Sequence, residues 1–247
     1  MGISFALTKL NLPNSARTYA PSMEISLSRV ADVAVITWRD GENRLNVDSL
    51  GRLNEILDEL ATIEGPLAVV VTGEGKFFSN GLDLDRIGSN PSEFAATVRE
   101  MERTIGRLLV FPAYTVAALN GHTFAGGALV SCAFDYRIMR DDRGFWCMNE
   151  VDIGLPLDEY LWSILEHRLP HATAVDAMLT ARRYGAAEAI VAGIVQESAS
   201  ETNLLARAVE VAQAMTTKDR TVVASHKRLV HGAAASYLGF NSKQTLP

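Results

Sequence analysis

Two strand-length apolar runs, each ending at a glycine-containing loop, constrain the fold of this 247-residue chain more than any other feature. Residues 67–72 run directly into the loop 73–81, and residues 115–119 run into the loop 120–127. A short, continuously apolar run that ends at turn residues is typical of a buried parallel strand. Helical periodicity follows each loop, and this alternation of strands and helices predicts an α/β core.

The segments around these two units are predicted to complete the core. An amino-terminal hairpin is expected from residues 24–29 and 33–38, because both run apolar or alternate over strand length. The helix that follows is predicted to be capped by Asp48 or Ser49 and to end at Pro66. The remaining predicted elements before residue 150 are helices at 92–110 and 128–133 and strands at 136–139 and 145–148.

No linker divides the sequence, so residues 24–247 are expected to form a single domain. Beyond Pro156 the pattern is almost wholly helical, which predicts a core of about residues 24–185 and a helical carboxy-terminal region of about residues 186–247. Residues 1–23 contain no Asp or Glu and several Ser and Thr. We interpret them as a flexible leader, with a transit peptide as the alternative.

Charge and composition exclude several classes of protein. A net charge of −6 argues against a broad surface for nucleic acid or for an anionic membrane. No stretch approaches the ~18 to 20 apolar residues of a membrane span. Cys132 and Cys147 lie in apolar segments without a metal-binding spacing, so they are interpreted as reduced core thiols. These features predict a soluble intracellular protein, cytoplasmic or peroxisomal, although no clear targeting signal is present.

The two loops could form an anion-stabilising site. Residues 77–84 and 120–127 place glycines where the chain leaves a strand, and the second loop opens directly onto a helix. Backbone N–H groups there can point at one ligand atom, and a helix amino terminus carries partial positive charge. Two such loops could each donate one amide to an oxygen that becomes negative during a reaction. The alternative is two tight turns whose small residues serve packing.

Glu150 is the candidate acid–base residue. It stands between the apolar aromatic run 145–148 and a second apolar stretch. Such a carboxyl is either a surface turn residue or a partly buried acid whose raised pKa suits proton transfer.

Taken together, three motifs resemble the crotonase superfamily, the enoyl-CoA hydratase/isomerase family, over nearly the whole chain after residue 24. They are Phe-Ser-Asn-Gly-Leu-Asp-Leu at 78–84, Asn-Gly-His with Ala-Gly-Gly-Ala and Phe-Asp-Tyr-Arg within 120–137, and Asn-Glu-Val-Asp-Ile-Gly-Leu at 149–155. The resemblance implies a spiral of ββα units with a carboxy-terminal helical trimerisation region. It also implies a homotrimer or a dimer of trimers. It further implies an acyl-CoA substrate and no metal or redox cofactor, since CoA enters as part of the thioester.

Carried over by position, the resemblance assigns the two oxyanion-binding amides to Leu82 and Gly126. The first loop and the preceding segment would line the path of CoA, with Arg44 and Lys76 as phosphate contacts. Phe124, Leu129 and Trp146 would form an apolar wall that excludes water. The remaining substrate-binding positions implied are Leu45, Asn80, Gly81, Gly127 and Asp158.

The residue at position 129 decides the expected reaction. Hydratases of this family use two glutamates, and Leu129 stands where the first of them is expected. A single acid, Glu150, can still move a proton from C2 to C4 of a 3-enoyl-CoA, so a Δ3,Δ2-enoyl-CoA isomerase of fatty-acid β-oxidation is predicted. Asp158 lies eight residues after Glu150, where dienoyl-CoA isomerases place a second acid, and it could equally be a helix amino-terminal residue. The alternatives are a dienoyl-CoA isomerase, an acyl-CoA hydrolase of the same fold, or a catalytically silent acyl-CoA-binding protein.

Overall fold

A computed structural model describes residues 24–240. The predicted leader, residues 1–23, lies outside the described residues. The strands are β1 Glu24–Val30, β2 Val33–Arg39, β3 Ala68–Gly73, β4 Phe77–Ser79, β5 Tyr114–Leu119, β6 His122–Phe124, β7 Tyr136–Arg140, β8 Trp146–Cys147 and β9 Glu197–Ala199. The helices are α1 Val47–Ala61, α2 Leu84–Ile87, α3 Pro91–Leu109, α4 Gly126–Cys132, α5 Glu150–Ile153, α6 Glu159–Arg168, α7 His171–Thr180, α8 Ala186–Val191, α9 Leu204–Met215 and α10 Arg220–Tyr237.

The larger sheet has the strand order β1-β2-β3-β5-β7-β9. The predicted hairpin is present, with β1 and β2 antiparallel, and every later pair in this sheet is parallel. Alternate residues of β2 pack on opposite faces, because side chains of a strand alternate in direction. Val33 and Val35 meet Ala208 of α9 in one core, whereas Ala34 and Ile36 join the core that contains α1 and α3.

A second, smaller sheet has the order β4-β6-β8, and its strands are parallel. The sequence predicted β8 as part of 145–148, but it did not predict β4 or β6, which lay inside the two glycine-containing loops. Strands of three residues carry too little periodicity to stand out from a loop. The small sheet matters for function, because the three loops described below leave its carboxyl edge.

The carboxy-terminal region is mostly helical, as predicted, but it also completes the larger sheet. β9 pairs with β7, and α9 covers one face of the strands. The sequence Glu-Ser-Ala of β9 is polar and only partly buried at the sheet edge, so its composition could not distinguish it from a turn.

Two helix boundaries differ from the prediction. The cap of α1 is Asn46, whose side chain accepts hydrogen bonds from the backbone N–H groups of Asp48 and Ser49. Ser49 completes a capping box by accepting from the Asn46 N–H. The helix ends at Ala61, five residues before Pro66, so the proline does not terminate it.

A buried ion pair anchors the last helix. Lys227 of α10 donates to Asp135 at 2.6 Å and to the Ala113 carbonyl at 3.2 Å. Asp135 also accepts from the N–H and hydroxyl of Thr115. Because the lysine and aspartate are paired and hydrogen-bonded, α10 is held against the start of β5 and β7. None of the helices within residues 24–240 has the length and apolar character needed to cross a membrane.

Gly51 offers a simple test of the fold. It lies inside α1, and a Cβ there would meet nothing within 4 Å. We therefore expect Gly51→Ala to raise the free energy of unfolding by ~0.5 to 1 kcal/mol, because alanine loses less backbone entropy in a helix. Urea unfolding followed by circular dichroism measures the change, and a destabilised variant would show that α1 is packed differently at this position.

Candidate active site

Three loops meet at the carboxyl edge of the small sheet. The loop after β4 carries Gly81 and Leu82, the segment after β6 carries Gly126, and the segment after β8 carries Glu150. Since β4, β6 and β8 are parallel neighbours, their carboxyl ends lie at the same edge, which is where ligands bind in parallel α/β sheets. The hydrogen bond from Ala125 N–H to the Cys147 carbonyl, 2.9 Å, joins the second and third segments three residues before Glu150.

The first loop turns at a glycine in the left-handed backbone region. Gly81 has φ +76, a conformation that side chains with a Cβ rarely adopt. On either side of Leu82 the chain is bound to Leu45: the Leu45 N–H donates to the Gly81 carbonyl at 2.8 Å, and the Asp83 N–H donates to the Leu45 carbonyl at 2.9 Å. Leu45 is fully buried, so it anchors this loop to the core.

The second amide belongs to the amino terminus of α4. Gly126 is the first residue of that helix, so its N–H precedes the intrahelical hydrogen bonds. Ala125 before it has φ 50 and ψ −123, which is strained for a residue with a side chain. Among residues 24–240, no hydrogen bond is donated by the amides of Leu82 or Gly126. Both N–H groups can therefore bind a ligand oxygen.

The two glycine-containing loops touch each other directly. A Cβ placed on Gly81 would lie 2.8 Å from Ala125 Cβ and 3.1 Å from the Gly126 nitrogen. A Cβ on Gly126 would lie 3.0 Å from Leu45 Cδ1, and one on Gly127 would lie 2.7 Å from Ser79 Cβ. Only glycine permits this approach of the two backbones.

Glu150 is a buried acid at the start of α5. Only 6% of the residue is exposed, and its Oε2 is buried without a hydrogen-bond partner among residues 24–240. Burial raises the pKa of Glu150 to about 7, since a carboxylate loses hydration there. Asn149 beside it has a side-chain oxygen that is likewise buried and unpaired within the described chain. A carboxyl with a free oxygen and a pKa near neutrality can accept and return a proton.

The residues of the predicted apolar wall differ in burial. Leu129 lies one turn into α4 and is fully buried, and Trp146 of β8 is fully buried with its indole N–H donating to Ser131 Oγ at 3.1 Å. Leu129 and Trp146 share one hydrophobic core. Phe124 is only half-buried, and its ring packs against that of His122 at an interplanar angle of 45°, with ring centres 4.9 Å apart.

Asp158 is the amino-terminal cap of α6, and its Oδ1 accepts from the Leu161 N–H at 3.0 Å. It also faces Glu102 of α3, a residue that the sequence did not single out. Burial, followed by the charge of Asp158 and a hydrogen bond to it, raises the pKa of Glu102 to about 7. Glu102 is one of four charged residues between 99 and 103, so nothing in the sequence separated it from a solvated helix face.

The predicted CoA contacts differ in their surroundings. Lys76 is exposed, with its Nζ 5.1 Å from the centre of the Phe77 ring. Arg44 is bound by carboxylates of Glu42, Asp83 and Asp85. The Asn80 side chain donates to Glu42 at 2.9 Å.

No group of three or more His, Cys, Asp or Glu side chains between residues 24 and 240 is arranged to hold a metal ion.

The six-stranded sheet, parallel apart from β1 and β2, the small parallel sheet and the carboxy-terminal helices define a protein with the crotonase fold. A family model described as enoyl-CoA hydratase/isomerase matches residues 28–243. The chain belongs to this family of enzymes, as its sequence motifs predicted.

Individual relatives agree with this membership. An Arabidopsis thaliana protein named enoyl-CoA delta isomerase 2, peroxisomal, is 29% identical over 231 residues, covering 88% of this chain and 96% of the relative. Arabidopsis enoyl-CoA delta isomerase 1, peroxisomal, is 34% identical over 169 residues, covering 66% and 70%. The apo structure of an enoyl-CoA isomerase from Mycobacterium tuberculosis has a TM-score of 0.80 at 26% identity, covering 89% of this chain and 96% of that one.

Proposed function

We propose that this enzyme is a Δ3,Δ2-enoyl-CoA isomerase that converts a 3-enoyl-CoA into the 2-trans-enoyl-CoA. The observation that carries the proposal is a buried carboxyl, Glu150, whose Oε2 has no partner within the described chain and which leaves the same sheet edge as two amides without acceptors, with Leu129 fully buried where a hydratase needs a second acid. The names of the Arabidopsis relatives support the same reaction class.

In the first step the Glu150 carboxylate takes a proton from C2 of the substrate. The electron pair of the broken C–H bond moves into the thioester, forming a dienolate whose negative charge lies partly on the thioester oxygen. The amides of Leu82 and Gly126 would donate to that oxygen. Each such donor is worth ~3 kcal/mol of transition-state stabilisation.

In the second step the neutral Glu150 returns the proton to C4. The electrons of the dienolate re-form the thioester carbonyl and a C2=C3 double bond, so no atom is gained or lost. A pKa of about 7 suits both directions, because the group is easily deprotonated before the first step and acidic enough for the second. Leu129 and Trp146 keep water away from the dienolate.

Parallel assays of different acyl-CoA classes test this assignment. We expect 3-enoyl-CoA to yield the conjugated thioester, followed by its absorbance, while 2-enoyl-CoA is hydrated at less than a hundredth of that rate. Preferential turnover of a 3,5-dienoyl-CoA would favour the dienoyl-CoA isomerase alternative, for which the Asp158–Glu102 pair is the specific observation. CoA release from a saturated acyl-CoA would indicate a hydrolase. Binding without turnover of any class would indicate a silent acyl-CoA-binding protein.

The pH dependence of turnover follows from the state of Glu150. Its ionised form is the base, so kcat/KM for 3-enoyl-CoA is expected to fall about tenfold for each pH unit below about 7 and to level off above it. Initial rates between pH 5.5 and 8.5 measure this profile. A rate independent of pH through that range would contradict Glu150 as the base.

We further propose that the enzyme assembles as a homotrimer or a dimer of trimers. Support comes from α10, which exposes an apolar stripe of Val222, Leu229, Val230 and Tyr237; Leu229 alone is 83% exposed. Light scattering of the purified protein distinguishes a monomer from these assemblies.

For the compartment we propose the cytoplasm or the peroxisome. The peroxisome is supported by the names of the Arabidopsis relatives. Microscopy of a tagged chain tests this proposal.

A further inference from the structure

We propose that Arg44 is a positioning residue that holds the Leu82 amide in place, rather than a contact for the phosphates of CoA. The inference rests on the proposed function in one respect, namely that the Leu82 N–H binds the substrate oxygen. It differs from the role that the sequence resemblance implied for Arg44, and it follows from how residues 42–46 lie along the first loop.

Residues 42–46 run alongside residues 79–83 and are hydrogen-bonded to them. Backbone hydrogen bonds join Asn80 N–H to the Glu42 carbonyl at 2.9 Å and pair Leu45 with both neighbours of Leu82. The Ser79 hydroxyl donates to the Asn43 carbonyl at 2.7 Å. The chain is thus fixed on both sides of Leu82, while its own N–H stays unbound within the described structure.

The Arg44 guanidinium ties the side chains of this loop together. Its Nη1 lies 2.5 Å from Asp85 Oδ2 and 3.4 Å from Asp83 Oδ1. Its Nε donates to Glu42 Oε2 at 2.8 Å, its Nη2 lies 2.7 Å from that oxygen, and the same oxygen accepts from the Asn80 side chain at 2.9 Å. One arginine therefore reaches the loop before Leu82, through Glu42 and Asn80, and after it, through Asp83 and Asp85. Only a planar guanidinium can serve these partners at once.

Electrostatics argue against a phosphate at Arg44. Three carboxylates surround a single positive charge, which leaves a local excess of about two negative charges. A phosphate would have to displace Asp85 or Glu42 and would meet the remaining carboxylates as like charges. Lys76 is better suited to that role, because it is exposed and none of the ion pairs within residues 24–240 involves it.

Two substrates that differ only in the nucleotide distinguish a positioning role of Arg44 from a phosphate contact. Arg44→Met is assayed with a 3-enoyl-CoA and with the matching 3-enoyl-pantetheine thioester, which lacks all phosphates. Positioning predicts that kcat falls about tenfold on both substrates while KM changes less than threefold, because a displaced amide weakens the transition state alone. A phosphate contact predicts instead a KM at least tenfold higher for the CoA thioester and no change for the pantetheine thioester, which would overturn the proposal.

Matched variants complete the test. Arg52→Met removes an arginine that pairs with Glu55 on the surface of α1 and is expected to leave both substrates unaffected. Arg44→Lys should have a higher kcat than Arg44→Met, since lysine keeps the positive charge but lacks the several N–H donors of the planar guanidinium.

Hydrogen exchange provides a readout that does not depend on activity. In Arg44→Met the hydrogen-bonded amides of Asn80 and Asp83 should exchange at least tenfold faster, whereas those of α1 should not change. This measurement holds even if the wild-type enzyme fails to isomerise 3-enoyl-CoA, a result that would reject the proposed function alone. Unchanged exchange at Asn80 and Asp83 would reject the role of Arg44.

Discussion

Replacing Glu150 by Gln is expected to lower kcat for 3-enoyl-CoA isomerisation by ~10²-fold or more while acyl-CoA binding is largely kept. Glutamine has nearly the same shape but can neither take a proton from C2 nor return one to C4. Stopped-flow absorbance of the conjugated thioester gives kcat, and calorimetric titration with a saturated acyl-CoA gives the binding constant. If turnover survived this substitution, Glu150 would not be the base.

The same variant carries its own control for folding. Burial raises the pKa of Glu150 from its ordinary 4.5 to about 7, so the wild-type protein is stabilised below the unfolded pKa and loses that contribution as pH rises through about 7. Glutamine never ionises. At pH 8 the variant should therefore be more stable than wild type, by up to ~3 kcal/mol, and the difference should vanish near pH 4.5. If Glu150→Gln loses activity but gains stability at pH 8, the loss of activity is due to the missing base and not to misfolding.

Replacing Gly81 by Ala is expected to lower kcat/KM by ~10²-fold, because the new Cβ pushes the two amide-bearing loops apart. It would lie 2.8 Å from Ala125 Cβ and 3.1 Å from the Gly126 nitrogen, and alanine is also disfavoured at φ +76. A misplaced donor forfeits most of its ~3 kcal/mol of transition-state stabilisation. Steady-state kinetics measure the loss.

A second substitution tests the collision itself. Ala125→Gly removes the Cβ that the new side chain would strike, and it relieves the positive φ of Ala125. The double variant Gly81→Ala/Ala125→Gly should therefore have a kcat/KM about tenfold higher than that of Gly81→Ala alone. Gly51→Ala, at a position where the added Cβ meets nothing within 4 Å, is the matched control and should keep full activity. A Gly81→Ala enzyme within threefold of wild type would show that the loops do not need their close approach.

The sequence alone predicted much of the scaffold and most of the proposed site. Apolar runs identified β3, β5 and the amino-terminal hairpin, and the family resemblance assigned the two amides in the glycine-containing loops to Leu82 and Gly126. Position between apolar segments marked Glu150, which the structure places in a buried environment. The sequence analysis did not predict β4, β6 or β9, and it misplaced the cap and the end of α1. Three-residue strands are defined by their partners rather than by periodicity.

What the chain determined by itself are local properties: which segments alternate or run apolar, where glycine frees the backbone, and which acid stands among apolar neighbours. Those follow from side-chain chemistry and backbone freedom within a few residues. Tertiary structure alone decided that Arg44 is bound by Asp85, 41 residues away, and that Glu102 faces Asp158 across two helices. It also decided that Gly81 and Gly126 touch. These contacts join distant parts of the chain, so they form only when the whole domain packs and cannot be read from either partner's neighbourhood.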